Sequence, residues 1–178
     1  MTPDPVGLKA GISLYAYTSN NPINSIDLFG LLSEVLTFQP VGWGSSSFGH
    51  SAININGKVY SWGPNGMWTG SFDEYMKKNR FREAVGAVLN ISADEEQQLE
   101  KLIRDFAKEH LYTELTDNCG DPIESGIEDL GYDLGINLFP VSLGEAIDEA
   151  GLVDKYNLYP RSPNLQKPKW WESAPWAK

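Results

Sequence analysis

The sequence predicts an α+β fold, a small antiparallel sheet packed with about three helices, and three observations carry that prediction. Residues 48–55 (FGHSAINI) and 58–63 (KVYSWG) are short β-branched and aromatic runs joined by Asn56-Gly57, the strongest short-range hairpin signal. Ser92, with Glu95 three residues on, makes a capping box ahead of Leu99, Leu102, Ile103 and Phe106, an apolar stripe at helical spacing. Residues 82–91 (REAVGAVLNI) alternate as a further strand.

In chain order, residues 1–31 are rich in turn formers, with one short alternating strand at 14–17. The hairpin follows, then GPNGMWTGS (63–71), which reads as loop, then the strand at 82–91 and the long helix. Residues 118–131 (NCGDPIESGIEDLG) read as a loop entering a shorter helix, with Pro122 in its first turn and Gly131 at its C-cap. Ser142 and Glu145 repeat the capping pattern for a third helix ending near Gly151. From Tyr159 the chain carries prolines and KWWESAPW, an extended, irregular tail. Three units result: 1–31, 32–158 and 159–178.

The chain of 178 residues is long enough for one core, and 41% hydrophobic with 21% charged residues fits a globular protein. No apolar run approaches the roughly 20 residues that span a bilayer. The opening MTPDPVGLKAG has neither the basic start nor the apolar stretch of a secretory signal, so no signal peptide is expected. Fourteen Lys plus Arg stand against 24 Asp plus Glu, a net charge of −10, and no basic block exists to neutralise phosphates. Nucleic acid is therefore not an expected partner. A single cysteine excludes an intramolecular disulfide and Cys₂ or richer zinc sites; no metal and no cofactor are expected.

That cysteine, Cys119, lies in the polar turn TDNCGDP just before a helix, where unpaired N–H groups and the helix dipole favour a thiolate. The flanking Asp117 and Asp121 oppose that effect. A base must come from one of two histidines. His50 opens a strand behind Gly49, a position from which a rigid imidazole can meet a helix N-terminus. Ser61, on the next strand, is placed to orient it as the third member of a nucleophile–base–orienter set. Asn118, Asp117 and Asp121 are further candidates for orienting or oxyanion roles. His110 reads as a solvated residue at the end of the long helix.

Two resemblances add to this reading. Asp4-Pro5-Val6-Gly7, Leu14-Tyr15-Ala16-Tyr17, Asn20-Asn21-Pro22 and Asp27-Leu28-Phe29-Gly30-Leu31 resemble the end of the Rhs/YD-repeat core of polymorphic toxins, with Leu28 where that family has proline. The resemblance implies a secreted effector, delivered without a signal peptide by the rest of the Rhs cage and its type VI-like machinery and neutralised by a cognate immunity protein. By the same analogy Asp4 and Asp27 are the acids of a self-cleavage after Leu31. In this chain residues 1–31 are expected to be an inactive remnant. GHSAININGKVYSWG, followed by Tyr112, Leu115, Asn118 and Cys119 ahead of a helix, resembles the permuted NlpC/P60 group of papain-like cysteine hydrolases. That resemblance implies a papain-like architecture and acyl-transfer chemistry by Cys119 and His50. The implied substrate is an amide of peptidoglycan stem peptides in the target's periplasm. The alternatives are a lipid acyl ester or a cytosolic protein as substrate, and a non-enzymatic binding tip. Membrane contact is a further expectation, through the Trp-rich tail together with Met67 and Trp68.

Overall fold

The computed structural model describes residues 32–40, 48–113, 118–135 and 139–163. Asp4, Asp27, Leu31, Asp117 and the tail from residue 164 lie outside the described residues. Within them the fold is α+β. Strands β1 (Ser33–Phe38), β2 (His50–Ile55), β3 (Lys58–Gly63), β4 (Gly66–Ser71), β5 (Ala84–Leu89) and β6 (Val153–Tyr159) form one sheet. Its order is β4-β3-β2-β1-β5-β6, and every neighbouring pair is antiparallel. Helices α1 (Phe72–Asn79), α2 (Ala93–Glu109), α3 (Asp121–Asp129) and α4 (Leu143–Glu149) accompany it, with a 3-10 turn at Pro140–Ser142 leading into α4.

The central strands β1 and β2 bury both faces, so alternate residues feed two cores. Val35, Ile53, Ile55 and Tyr60 point to one face and pack with Leu99 and Ile103 of α2, Ile123 and Ile127 of α3, and Leu143 and Ile147 of α4. Leu36, Phe38, Ala52 and Val59 point to the other, where Tyr75 of α1 covers them. The two helices that matter most to the site therefore approach from opposite sides, α3 on the first face and α1 on the second.

Local signals form as the sequence indicates. Asn56 takes φ 52° and Gly57 φ 81° in the two-residue turn between β2 and β3. Both halves of the Ser92–Glu95 capping box are made. Gly131, at φ 99°, closes α3, its N–H donating to Glu128 O at 2.8 Å.

Strands β1 and β6 go unmarked in the sequence reading, and four further features differ from expectation. Residues 66–71 are strand β4 rather than loop, paired along all of β3 from Lys58–Ser71 to Gly63–Gly66; partner pairing holds a segment whose two glycines weaken it in isolation. Helix α1 is additional to the three expected, and Ser71 Oγ caps it by accepting the Glu74 N–H at 3.3 Å. Ser142 does not cap α4. It ends the 3-10 turn, already in helical conformation, and its hydroxyl donates to Phe139 O at 2.8 Å instead. Finally, Tyr159 is the last residue of β6 rather than the start of a tail. Its hydroxyl, like Asn157 Nδ2, donates to Glu34 Oε1 at 2.8 Å.

Glu96 ties α2 to the sheet. Buried on the helix, it accepts from Ser33 Oγ at 2.6 Å and Asn56 Nδ2 at 2.5 Å, and Asn56 Oδ1 in turn accepts the Leu32 N–H at 3.0 Å. Truncating Glu96 leaves the buried Ser33 hydroxyl without its acceptor, a cost of about 1–3 kcal/mol, while the exposed Asn56 amide turns to water. Glu96→Ala should therefore lower unfolding stability by about 1–3 kcal/mol in urea titrations. Glu96→Gln, which keeps one acceptor, should cost less than half of that.

Candidate active site

The β2–β3 ladder stops early. Its register runs from Ile55–Lys58 to Ile53–Tyr60 and goes no further, although β3 continues pairing with β4 to Gly63. Beyond that point β2 carries His50, Ser51 and Ala52 without β3 partners. The Ser51 N–H donates instead to the sulfur of Cys119, 68 positions away, at 3.4 Å.

The turn that presents Cys119 is built by its neighbours. Asp121 Oδ2 accepts the Asn118 N–H at 2.6 Å, Asn118 Oδ1 accepts the Gly120 N–H at 2.9 Å, and the Asp121 N–H returns to Asn118 O at 3.2 Å. These bonds bring the chain into α3 with Gly120 as N-cap and Pro122 in the first turn. Asn118 and Asp121 thus use these side-chain oxygens to shape the turn, and the Gly120 N–H is already committed to Asn118. Asp117 is outside the described residues.

His50 stands opposite Phe38 of β1 and directs its Nε2 to the α1 side of the sheet. There it lies 2.9 Å from Ser61 Oγ and 2.8 Å from Tyr75 OH, and the two hydroxyls are 2.9 Å apart. The three atoms form a closed triangle that locks the ring. The tautomer of His50 sets the directions: an unprotonated Nε2 accepts from one hydroxyl while the other hydroxyl donates to its neighbour, and a protonated Nε2 donates to the oxygens, with one hydroxyl hydrogen between them and the other directed out of the triangle. Phe38 borders the ring, its centroid 6.1 Å from that of His50.

Both reactive groups are sealed: Cys119 is 2% and His50 3% exposed. The 3-10 turn supplies part of the cover. Ser51 Oγ donates to Pro140 O at 2.8 Å, and Val141 packs so tightly on Gly49 that a Cβ there would stand 2.2 Å from its Cγ1. Gly49 also takes φ 90°, which only glycine adopts at little cost. Outside the cover, Phe48 and Phe139 stack at 4.9 Å and, with Val141, remain exposed.

Burial decides the charge states. It lowers the His50 pKa well below the ordinary 6.5, and the nearby Arg82 cation lowers it further. It pushes the Cys119 thiol up to about 12, against the opposing pull of the Ser51 N–H and Arg82. Tyr75 is raised by the same desolvation. At neutral pH the closed site therefore holds a neutral thiol and a neutral imidazole, not an ion pair.

Tyr75 and Arg82 are absent from the sequence-based candidates. The Ser71-x-x-Glu74 box was the available signal for α1, and a tyrosine on a two-turn amphipathic helix reads as core. His110 caps α2 at its C-terminus, exposed and stacked on Phe106 at 3.9 Å, away from these residues. Met67 and Trp68 are strand residues. Met67 packs on the first core and Trp68 on the Tyr75 ring at 5.2 Å. Among the described residues no three His, Cys, Asp or Glu side chains gather to hold a metal ion, and no helix is long and apolar enough to cross a membrane. No family model, curated protein or solved structure matches this chain.

The depressed His50 pKa has a thermodynamic consequence. The unfolded chain takes up this proton near pH 6.5 and the folded chain resists it. Stability from this group is whole above pH 6.5 and is lost as pH falls toward the folded pKa, with a slope approaching about 1.4 kcal/mol per pH unit. Urea midpoints at pH 7 and pH 5.5 should show this loss in the wild type and not in His50→Gln. A wild type equally stable at both would mean that the imidazole is solvated.

Proposed function

We propose that residues 32–163 form the catalytic part of an Rhs-type effector toxin, a papain-like cysteine hydrolase in which Cys119 is the nucleophile and His50 the base. One observation carries this reading. The sulfur of Cys119, at the N-terminus of α3, is hydrogen-bonded to the peptide N–H that follows a histidine whose Nε2 is fixed by two hydroxyls.

The chemistry follows from the charge states. Because thiol and imidazole are both neutral at rest, proton transfer accompanies attack rather than preceding it. With Nε2 held by Ser61 and Tyr75, Nδ1 takes the thiol proton as sulfur adds to the substrate carbonyl. The oxyanion draws on backbone N–H groups at the mouth of α3, that of Cys119 foremost, since Gly120 N–H is occupied. Collapse expels the amine with the proton from His50, leaving a thioester. Water then adds, again through His50, and releases the acid and the free thiol. The two hydroxyl oxygens accept from Nε2–H while the ring is cationic, so Ser61 and Tyr75 share the orienting role.

The bond we assign is an amide of peptidoglycan stem peptides, on the strength of the resemblance at residues 48–131 and the Rhs-like boxes at 4–31. A cognate immunity protein in the producer is part of this reading. A second substrate class, a lipid acyl ester, is favoured by one feature, the exposed Phe48, Phe139 and Val141 beside the sealed pair.

Expression in a bacterium, in cytoplasmic and periplasm-directed forms, tests the proposal. Only the periplasmic wild type should lyse cells, and Cys119→Ala and His50→Ala should both abolish lysis, losing two to four orders of magnitude of activity. Killing from the cytoplasm through the same two residues would keep the enzyme class and move the substrate. Killing that survives both substitutions would sink the catalytic pair. Tyr75→Phe leaves Ser61 as sole partner of Nε2 and should cost roughly ten- to a hundredfold, measured as the inducer concentration needed for lysis.

A further inference from the structure

Arg82 lies in the short connection between α1 and β5, yet it is only 3% exposed. Burying a guanidinium costs several kcal/mol even after relaxation, and a leucine or methionine would fill the space between Phe38 and Phe81 without that cost. The arrangement around it is specific. Arg82 Nη2 donates to Asn79 Oδ1 at 2.8 Å, and Asn79 Nδ2 donates to Tyr75 O at 3.0 Å. The same helix end therefore fixes both the cation and the tyrosine that touches His50. The guanidinium lies 4.7 Å from the Phe38 ring centroid, and Phe38 is the ring next to His50. Cation, benzene ring and imidazole follow one another through these two contacts, and Arg82 and His50 are both buried, so screening by water is slight.

We propose that Arg82 is a positioning residue of the Cys119–His50 site, a fixed positive charge behind Phe38 that keeps the imidazole a neutral base and favours the thiolate when the proton leaves. The proposal rests on the hydrolase reading above. Its field reaches all three groups at the site: His50, Tyr75 and Cys119 each feel it. Among the groups facing them, helix α1 brings the Tyr75 phenol and β3 the Ser61 hydroxyl. Helix α3 brings Asp121, which opposes the thiolate, and the turn at 140–142 (Pro-Val-Ser) brings no charge. Without Arg82 the base would hold a proton at higher pH, and the negative charge that grows on sulfur as its proton leaves would lose a compensating cation.

The chain has one cysteine and two histidines, so both effects can be read directly and without a substrate. Proton NMR follows the His50 ring through its titration with His110 as internal control, and iodoacetamide follows the Cys119 thiolate against pH. The variants are Arg82→Gln, Arg82→Lys and Asn79→Asp, the last leaving the guanidinium in place and setting a counter-charge on it. In Arg82→Gln and Asn79→Asp the His50 midpoint should move up while that of His110 stays. Alkylation at pH 9 should slow roughly three- to tenfold, and Arg82→Lys should lie within about twofold of wild type. Folded Arg82→Gln or Asn79→Asp with wild-type titrations would overturn the proposal, as would Arg82→Lys behaving like Arg82→Gln. If Arg82→Gln does not fold, Asn79→Asp decides alone. Shifted titrations in a protein that shows no hydrolysis would instead fail the hydrolase reading and leave the electrostatic coupling standing.

Discussion

A single peptide N–H, that of Ser51, organises the region around it. Two residues along, Ile53 is still paired with Tyr60 of β3, and Ser51 would be next in the ladder had β3 stayed alongside. It does not, and a backbone donor left alone in a dry sheet would cost about 1–3 kcal/mol. The Cys119 sulfur takes the bond. A sulfur is a weak acceptor, so the contact is worth little as cohesion. Its value is positional: it brings the N-terminus of α3 to the strand that carries His50, whose Nε2 is held by Ser61 and Tyr75. The divergence of β2 and β3 thus serves both ends of the pair.

The parts of this arrangement that were legible in the sequence are those encoded within a few residues. Asn56-Gly57 specifies its turn, Ser92 and Glu95 cap each other, and Gly131 ends α3, because each needs only its neighbours. The lone cysteine before a helix and the histidine opening a strand were legible for the same reason. What escaped depends on distant partners. Residues 66–71 make a strand only because β3 lies beside them, and β1 holds Glu34 in the middle of the sheet only because Asn157 and Tyr159 arrive to bond it. Tyr75 and Arg82 belong to the site through the packing of α1, and nothing in their own spacing marks either. The Ser142–Glu145 pattern fails for a related reason: a preceding 3-10 turn places Ser142 in helical conformation before it can act as a cap.

The electrostatics around Cys119 and His50 follow from the same packing. Ser61 and Tyr75 hold the imidazole with neutral hydroxyls, which orient a ring well but stabilise an imidazolium less than a carboxylate does. Together with burial and Arg82, this keeps the resting site uncharged. Such a site gives up the reactivity of a standing thiolate and in exchange is stable in its closed form and slow to oxidise or alkylate.

Glu34 gives the fold a temporal order. Glu34 is 1% exposed on β1, its carboxylate in space left by Gly86 of the neighbouring β5, and its bonds reach 123 and 125 positions down the chain. Until residue 159 has emerged, that carboxylate has no reason to leave water, and the strand bearing it has no reason to settle in the middle of a sheet. Early segments can form their turn and helix, but the central strand waits for the last one. The contact between Cys119 and the strand that carries His50 is therefore made only when synthesis of residues 32–159 is complete, and a chain interrupted short of that point carries both residues without that contact.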